Sequence, residues 1–553
     1  MKTRLQPDAI LSVKHRKYLA ILMISVFAIG LSVAFYLYNV DRHFLIYYGD
    51  AASHMVLARK LVDWSENPGW QQMGTVWLPL PHFLLNPFTL IDELFSSGFA
   101  GLAISLPSVA TTSALMYKII VNQWQKAAQA RGINISMIAF AGALLYAVNP
   151  SIIYLGITAM TEAPFMLFFV ASAYYLQKWY SEYRQSGKFN RLYLLLCSIS
   201  ITVATLSRYE AWFLPMFVIP LMAVLVVKPT KEFGDRKLNV NPSSMTLRNK
   251  IEAILLSLLS LSGIIIWLGY NASLYGDPFE FANAQYYSAA SQALDRPFRE
   301  SLFLQPANAF FIYGATSFYA YGPALMISAA AGYFIHRRTN GHRRARDLIY
   351  AFLLVPPLFT ILSLIVGIGE MTFWFNSRFV IMLAPILILL AVAFVLRLYI
   401  NFRSRRIATV AIATLFAVQL IIAALSVVVT VADAASGFFY KQAPAAVEAG
   451  ERLAELYDGN GMIMIITGSA QEHRVMVASG IPLRNYDSII ESSTWKKSYY
   501  EPWVYADWIV MSKAPDSDAI KPVSYWKERE SMLGQYYKLA FENEYFVIMQ
   551  SQG

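Results

Sequence analysis

The sequence predicts an all-α polytopic membrane protein, about eleven transmembrane helices, with a small C-terminal extracytoplasmic α/β domain. Three observations carry this. Of 553 residues, 57% are hydrophobic and only 14% charged, with a mean hydropathy of +0.44, whereas soluble domains carry roughly 25% charged residues. The apolar residues gather into blocks of about 20, the length that crosses a bilayer as a helix, rather than into the stripes that cover a soluble core. From Asp433 onward the composition changes, and 11 basic and 16 acidic residues crowd this tail.

Hydropathy places the spans at 18–40, 99–117, 135–155, 158–177, 192–207, 211–227, 251–270, 309–335, 348–367, 379–396 and 407–431. The N-terminus and alternate loops hold 27 Lys and Arg, and the opposite loops hold seven, Arg42, Arg59, Lys60, Arg208, Arg296, Arg299 and Arg378. The positive-inside rule therefore puts the N-terminus in the cytoplasm and 432–553 outside a plasma membrane. The net charge of +10 is a topology signal, so no nucleic-acid partner is expected. The first span follows KHRK and is too long for a signal-peptide core. Cys197, the single cysteine, falls within a span, which excludes a disulfide framework or a CxxC metal site. Two domains result: 1–431 in the membrane, with a long first outer loop 41–98, and 432–553 outside. In the outer domain Ala445–Tyr457 reads as an amphipathic helix, and Met462–Thr467, Trp508–Ser512 and Tyr545–Gln550 read as strands.

Polar residues at the outer ends of spans are where chemistry is expected, because ionisable groups there are costly unless they face a cavity or a partner. A helix over 50–64 puts Asp50 and His54 on one face. Asp50 would sit in the first turn, where the helix dipole keeps it ionised as a general base, a metal ligand or an N-cap. In the run GTVWLPLPH at 74–82, two prolines oppose regular helix, and Trp77 and His82 line a pocket or anchor the loop in the headgroups. Glu162 opens an apolar span with no basic residue nearby in sequence. Arg208 either pairs with Glu210 or presents its fork to a phosphate. Arg378, eight residues from Glu370, is the better phosphate candidate.

These residues lie in pieces that resemble the GT-C superfamily of membrane glycosyltransferases, in particular the protein O-mannosyltransferases of glycosyltransferase family 39 and the aminoarabinose transferases. The pieces are YGDAASH at 48–54, GTVWLPLPH at 74–82, NPSIIYLGITAMTEAPF at 149–165, LSRYEAWFLP at 206–215 and FNSRFVIMLAP at 375–385. The resemblance implies the GT-C fold and an inverting hexosyltransferase. Its donor would be a polyprenyl-phosphate sugar, dolichyl or other, entering from the membrane lipids, and its acceptor a glycan, lipid or protein hydroxyl outside. It also implies that Asp50 activates the acceptor and that Glu162 assists the base or contributes to a metal site. His54, His82, Arg208, Glu210 and Arg378 would contact the donor phosphate or sugar. A divalent metal ion is left open, with no metal ligands assigned. The competing class is a lipid or lipid-linked-sugar flippase, for which matched inverted halves and midplane ionisable residues are expected; neither is evident in the sequence.

Overall fold

The structure is a computed structural model that describes residues 13–186, 189–227, 246–283, 299–338, 343–372, 376–401, 442–465, 470–488, 500–513 and 530–552, with isolated positions from 406 to 421. Most of the expected span 407–431 lies outside the described residues.

The first helix, α1 (Val13–Val40), has 28 residues, ample for a ~30 Å hydrocarbon core at ~1.5 Å per residue. The next part carries α2 (Gly49–Lys60), α3 (Leu80–Thr89) and α4 (Asp92–Ser97). There follow α5 (Phe99–Gln129), α6 (Ile135–Ala147), α7 (Pro150–Leu155), α8 (Glu162–Ser186), α9 (Arg191–Thr205), α10 (Phe213–Val227), α11 (Leu247–Leu258) and α12 (Ser262–Tyr275). The helical body ends with α13 (Pro306–Arg338), α14 (Arg343–Ile365) and α15 (Ala384–Asn401). Among the described residues six helical segments are long and apolar enough to cross a membrane, and three shorter apolar helices accompany them. This is a multi-pass membrane protein.

Two expected spans are broken, for reasons visible in the sequence. The span 135–155 stops at Val148 and restarts at Pro150, because Asn149 caps the second piece by accepting from the Ser151 and Ile152 amides. The span expected to begin at 158 starts as a helix only at Glu162. Residues 158–161 turn beneath the start of α5, where Ser105 Oγ donates to the Thr158 carbonyl at 2.7 Å. Gly101 permits this approach, since a Cβ there would lie 2.2 Å from the Ala159 nitrogen. Inside α13, Gly322 takes φ 73° ahead of Pro323 and kinks the helix. Asn149 Nδ2 donates to the Ala320 carbonyl beside the kink at 2.8 Å, supplying a bond the broken helix cannot. Farther along, a Cβ on Gly332 would sit 1.8 Å from the Leu390 carbonyl oxygen, so α13 and α15 pack backbone against backbone. Cys197 is a buried free thiol in α9.

The C-terminal part contains α16 (Gln442–Leu456), α17 (Ala470–Ser479) and a five-stranded mixed sheet of β1 (Ile463–Ile465), β2 (Tyr486–Ser488), β3 (Trp508–Ser512), β4 (Tyr537–Glu542) and β5 (Phe546–Ser551), in the order β2-β1-β3-β5-β4. Strand β1 runs parallel to both β2 and β3, and β5 runs antiparallel to β3 and β4. The sheet part is tied to the helical part by hydrogen bonds and by the pairing of Arg484 with Asp63 at 3.3 Å. His43 meets Glu451 at 3.0 Å, and Asp63 accepts from the Leu483 amide at 3.0 Å while pairing with Arg59 at 2.7 Å.

Candidate active site

Four chain segments, far apart in sequence, bring five charged side chains into one network. Helix α2 supplies Asp50 in its first turn. Its N-cap is Tyr48, which corrects the reading of Asp50 as an N-cap. Helix α8 supplies Glu162 as its first residue, where the helix dipole favours a carboxylate. Arg208 stands in extended backbone between α9 and a short 3-10 turn, Tyr209–Trp212, which carries Glu210. Arg378 stands in a second 3-10 turn, Ser377–Leu383. The preceding Asn376 adopts φ 56°, a conformation asparagine tolerates, and donates to the Glu370 carbonyl.

Arg378 joins the two expected carboxylates: its Nη2 lies 2.7 Å from Asp50 Oδ2 and its Nε 2.9 Å from Glu162 Oε1. It also donates to the Tyr48 hydroxyl and stacks over the Tyr48 ring at 4.9 Å. Arg208 reaches the same Glu162 Oε1 at 2.6 Å, the Thr161 hydroxyl at 3.0 Å and Glu210 at 2.8 Å. Glu162, without a nearby base in sequence, is thus held by two. Its side chain is 0% exposed, and its second oxygen, Oε2, has no hydrogen-bond partner among the described residues. A buried carboxylate oxygen left in this state is an acceptor site for a hydroxyl. Asp50 differs, with 30% of its side chain exposed.

The histidines form a second layer. His82 Nδ1 lies 3.1 Å from the Leu78 carbonyl, and its Nε2 lies 2.9 Å from His54 Nδ1. A carbonyl only accepts, so His82 carries its proton on Nδ1, and its Nε2 accepts from His54 Nδ1–H. His54 Nε2 is left as an acceptor. Burial, then His82 and the two site arginines, push the His54 pKa well below its ordinary value, and burial brings His82 down to about 4. Both rings are therefore neutral near pH 7. Trp77 packs on His54 with ring centroids 4.5 Å apart, a contact that fits the pocket-lining alternative. The loop carrying Trp77 is strapped down by the Tyr209 hydroxyl on the Val76 carbonyl at 2.9 Å and the Tyr270 hydroxyl on the Trp70 carbonyl at 3.1 Å. The prolines of 74–82 do not exclude helix throughout, as expected. Pro79 precedes α3 and Pro81 lies in its first turn, where no amide donor is needed, so His82 is helical.

Sequence reasoning missed Tyr48, Thr161 and a trio from α17, residues 470, 473 and 474, that contacts the start of α2. Glycine at 49, beside Asp50, was the available signal of a close approach. Among the described residues no group of three His, Cys, Asp or Glu side chains is arranged to hold a metal. Two guanidinium groups on Glu162 oppose a divalent cation there, so the residues present do not fit one.

A model of the dolichyl-phosphate-mannose-protein mannosyltransferase family matches residues 103–287. Among solved structures, ArnT from Cupriavidus metallidurans bound to undecaprenyl phosphate is similar with a TM-score of 0.55 at 10% identity, covering 95% of this chain and 97% of that one. The same protein in its apo state matches at TM-score 0.53, again at 10% identity and over 95% and 97% of the two chains. No curated protein matches the chain. The family match and the shared fold together bear out the resemblance to the GT-C superfamily of membrane glycosyltransferases.

Proposed function

We propose that the protein transfers a sugar, a hexose or its derivative, from a polyprenyl-phosphate donor to an acceptor hydroxyl on the outer face of the plasma membrane, with inversion. The observation that carries this reading is the Asp50–Arg378–Glu162–Arg208 network. It puts a partly exposed carboxylate and two guanidinium groups at one place, beside neutral imidazole and indole. Asp50 takes the proton of the acceptor hydroxyl as that oxygen forms a bond to C1 of the sugar. The bond between C1 and the phosphate oxygen breaks on the opposite face, and Arg378 and Arg208 receive the charge that builds on the leaving polyprenyl phosphate. Glu162 Oε2 and His54 Nε2 accept from sugar hydroxyls, and Trp77 offers an apolar face to the ring.

Arg378 already donates to Asp50, so an arriving phosphate competes with Asp50 for the guanidinium. Donor binding thereby loosens the base for its task. The acceptor class stays as wide as glycan, lipid or protein. Eleven spans with a cytoplasmic N-terminus, and two domains, 1–431 and an extracytoplasmic 432–553, belong to this reading on the hydropathy and the Lys and Arg bias of the loops, and the six described helical segments long and apolar enough to cross a membrane support its multi-pass part. The test is transfer of labelled sugar by the purified protein from a panel of undecaprenyl- and dolichyl-phosphate sugars. Consumption of one donor is expected. Movement of lipid between leaflets with no donor consumed would overturn the transferase reading in favour of a flippase.

A further inference from the structure

We propose that Arg474 is a positioning residue for Asp50, which makes helix α17 of the sheet-containing part a component of the site. The proposal rests on the reading of Asp50 as the base. Arg474 is buried, at 1% exposure. Its Nη2 donates to the Tyr47 carbonyl at 2.7 Å, its Nε to the Ile46 carbonyl at 3.3 Å and its Nη1 to Gln471. Those two carbonyls belong to the chain entering α2, just ahead of the residue that carries the carboxylate. A charged, planar donor fixes their direction more tightly than water would.

Two more contacts lie along the same face of α17, at the spacing that puts i, i+3 and i+4 together. A Cβ on Gly49 would sit 2.6 Å from Ala470 Cβ and 3.1 Å from Arg474 Nη2, so any larger residue at 49 pushes the two helices apart. His473 Nδ1 lies 2.8 Å from Ser53 Oγ, which in turn donates to the Gly49 carbonyl at 3.2 Å. All three contacts converge on the first turns of α2. Among the described residues none of the three hydrogen-bonds or ion-pairs with the Asp50 carboxylate, and beyond the through-space attraction between the Arg474 and Asp50 charges their effect on chemistry is through its placement. Displacing a reacting group by about 1 Å costs on the order of 10²-fold in rate.

The experiment measures kcat and donor KM on whichever undecaprenyl-phosphate sugar the wild type consumes, with affinity for undecaprenyl phosphate in parallel. The variants are Gly49→Ala, Gly49→Ala with Ala470→Gly, Arg474→Gln, Arg474→Lys and Asp50→Asn. Gly49→Ala and Arg474→Gln are expected to lower kcat by about tenfold or more while donor KM and lipid affinity stay within about twofold. The Ala470→Gly partner restores most of the loss in Gly49→Ala, and lysine at 474 restores part of the loss seen with glutamine. A merely structural loss would lower the active fraction without this split or this rescue. Wild-type kcat in Gly49→Ala and Arg474→Gln beside an inactive Asp50→Asn overturns the positioning role alone. Full activity in Asp50→Asn overturns the reading of the base on which it rests.

Discussion

Asp50 and Glu162 share one arginine yet are held in opposite ways. Glu162 is fully buried at the start of a long helix, with both guanidinium groups on a single oxygen. Asp50 is partly exposed on a twelve-residue helix, with one arginine on its carboxylate and a helix of the sheet part against its backbone. Burial suits a charge that sets a fixed field, since a low dielectric strengthens every interaction it makes. Access suits a charge that must take a proton from an arriving hydroxyl. On the proposed reading, the helical body supplies the electrostatics of the site, and the junction with the sheet part sets the aim of its base.

The sharpest way to break that comparison is to remove the arginine whose carboxylate partners are both on the buried side, Glu162 and Glu210. Arg208→Ala removes the arginine that pairs with buried Glu210 and leaves Glu162 with half its compensation, so a stability loss of about 3–5 kcal/mol is expected, the usual result of breaking a buried pair. Thermal unfolding in detergent checks this, and a wild-type melting profile would contradict the account of Glu162. Arg378→Ala leaves Glu162 paired with Arg208 and bares the more exposed Asp50. The main expected effect is weaker binding of undecaprenyl phosphate, by about 1.5–3 kcal/mol for a lost charge-assisted hydrogen bond. Binding as tight as in the wild type would remove Arg378 from the phosphate role.

A smaller effect concerns pH. His54, His82 and His473 are buried as neutral rings, with His82 brought down to about 4 and His473 to about 3. The unfolded chain binds protons on these residues near pH 6.5, and the folded chain does not. Their contribution to stability is therefore complete above about pH 6.5 and is lost as pH falls from there toward 4. His82→Asn should flatten the decline in melting temperature between about pH 7 and 5 relative to its own value at pH 7. An unchanged slope would mean that His82 is protonated in the folded protein.

Much of this was legible in the chain. Long apolar blocks have one physical use, and strands β1, β3 and β5 fall on the apolar runs that predicted them. Strand β2 is three residues long and β4 is largely exposed, so neither leaves a hydrophobic pattern to read. The residue types of the site were also legible, through the cost of ionisable groups at span ends. Their pairing was not. Arg208 meets Glu162 across 46 positions and Arg378 meets Asp50 across 328, and local spacing carries no trace of contacts made by tertiary packing. For that reason Glu210 was the one carboxylate partner the sequence offered Arg208, and Glu162 showed no basic residue near it in sequence.

The central claim is that Asp50 is the base and that it shares Arg378 with the donor phosphate. One measurement on Asp50→Asn tests both halves: sugar transfer from the undecaprenyl-phosphate donor, with undecaprenyl phosphate affinity determined on the same preparation. The account predicts turnover lowered by about 10²-fold or more while the lipid binds as tightly as to the wild type or more tightly, because its competitor for Arg378 is neutral. Turnover at the wild-type rate, or loss of lipid binding together with turnover, would contradict it.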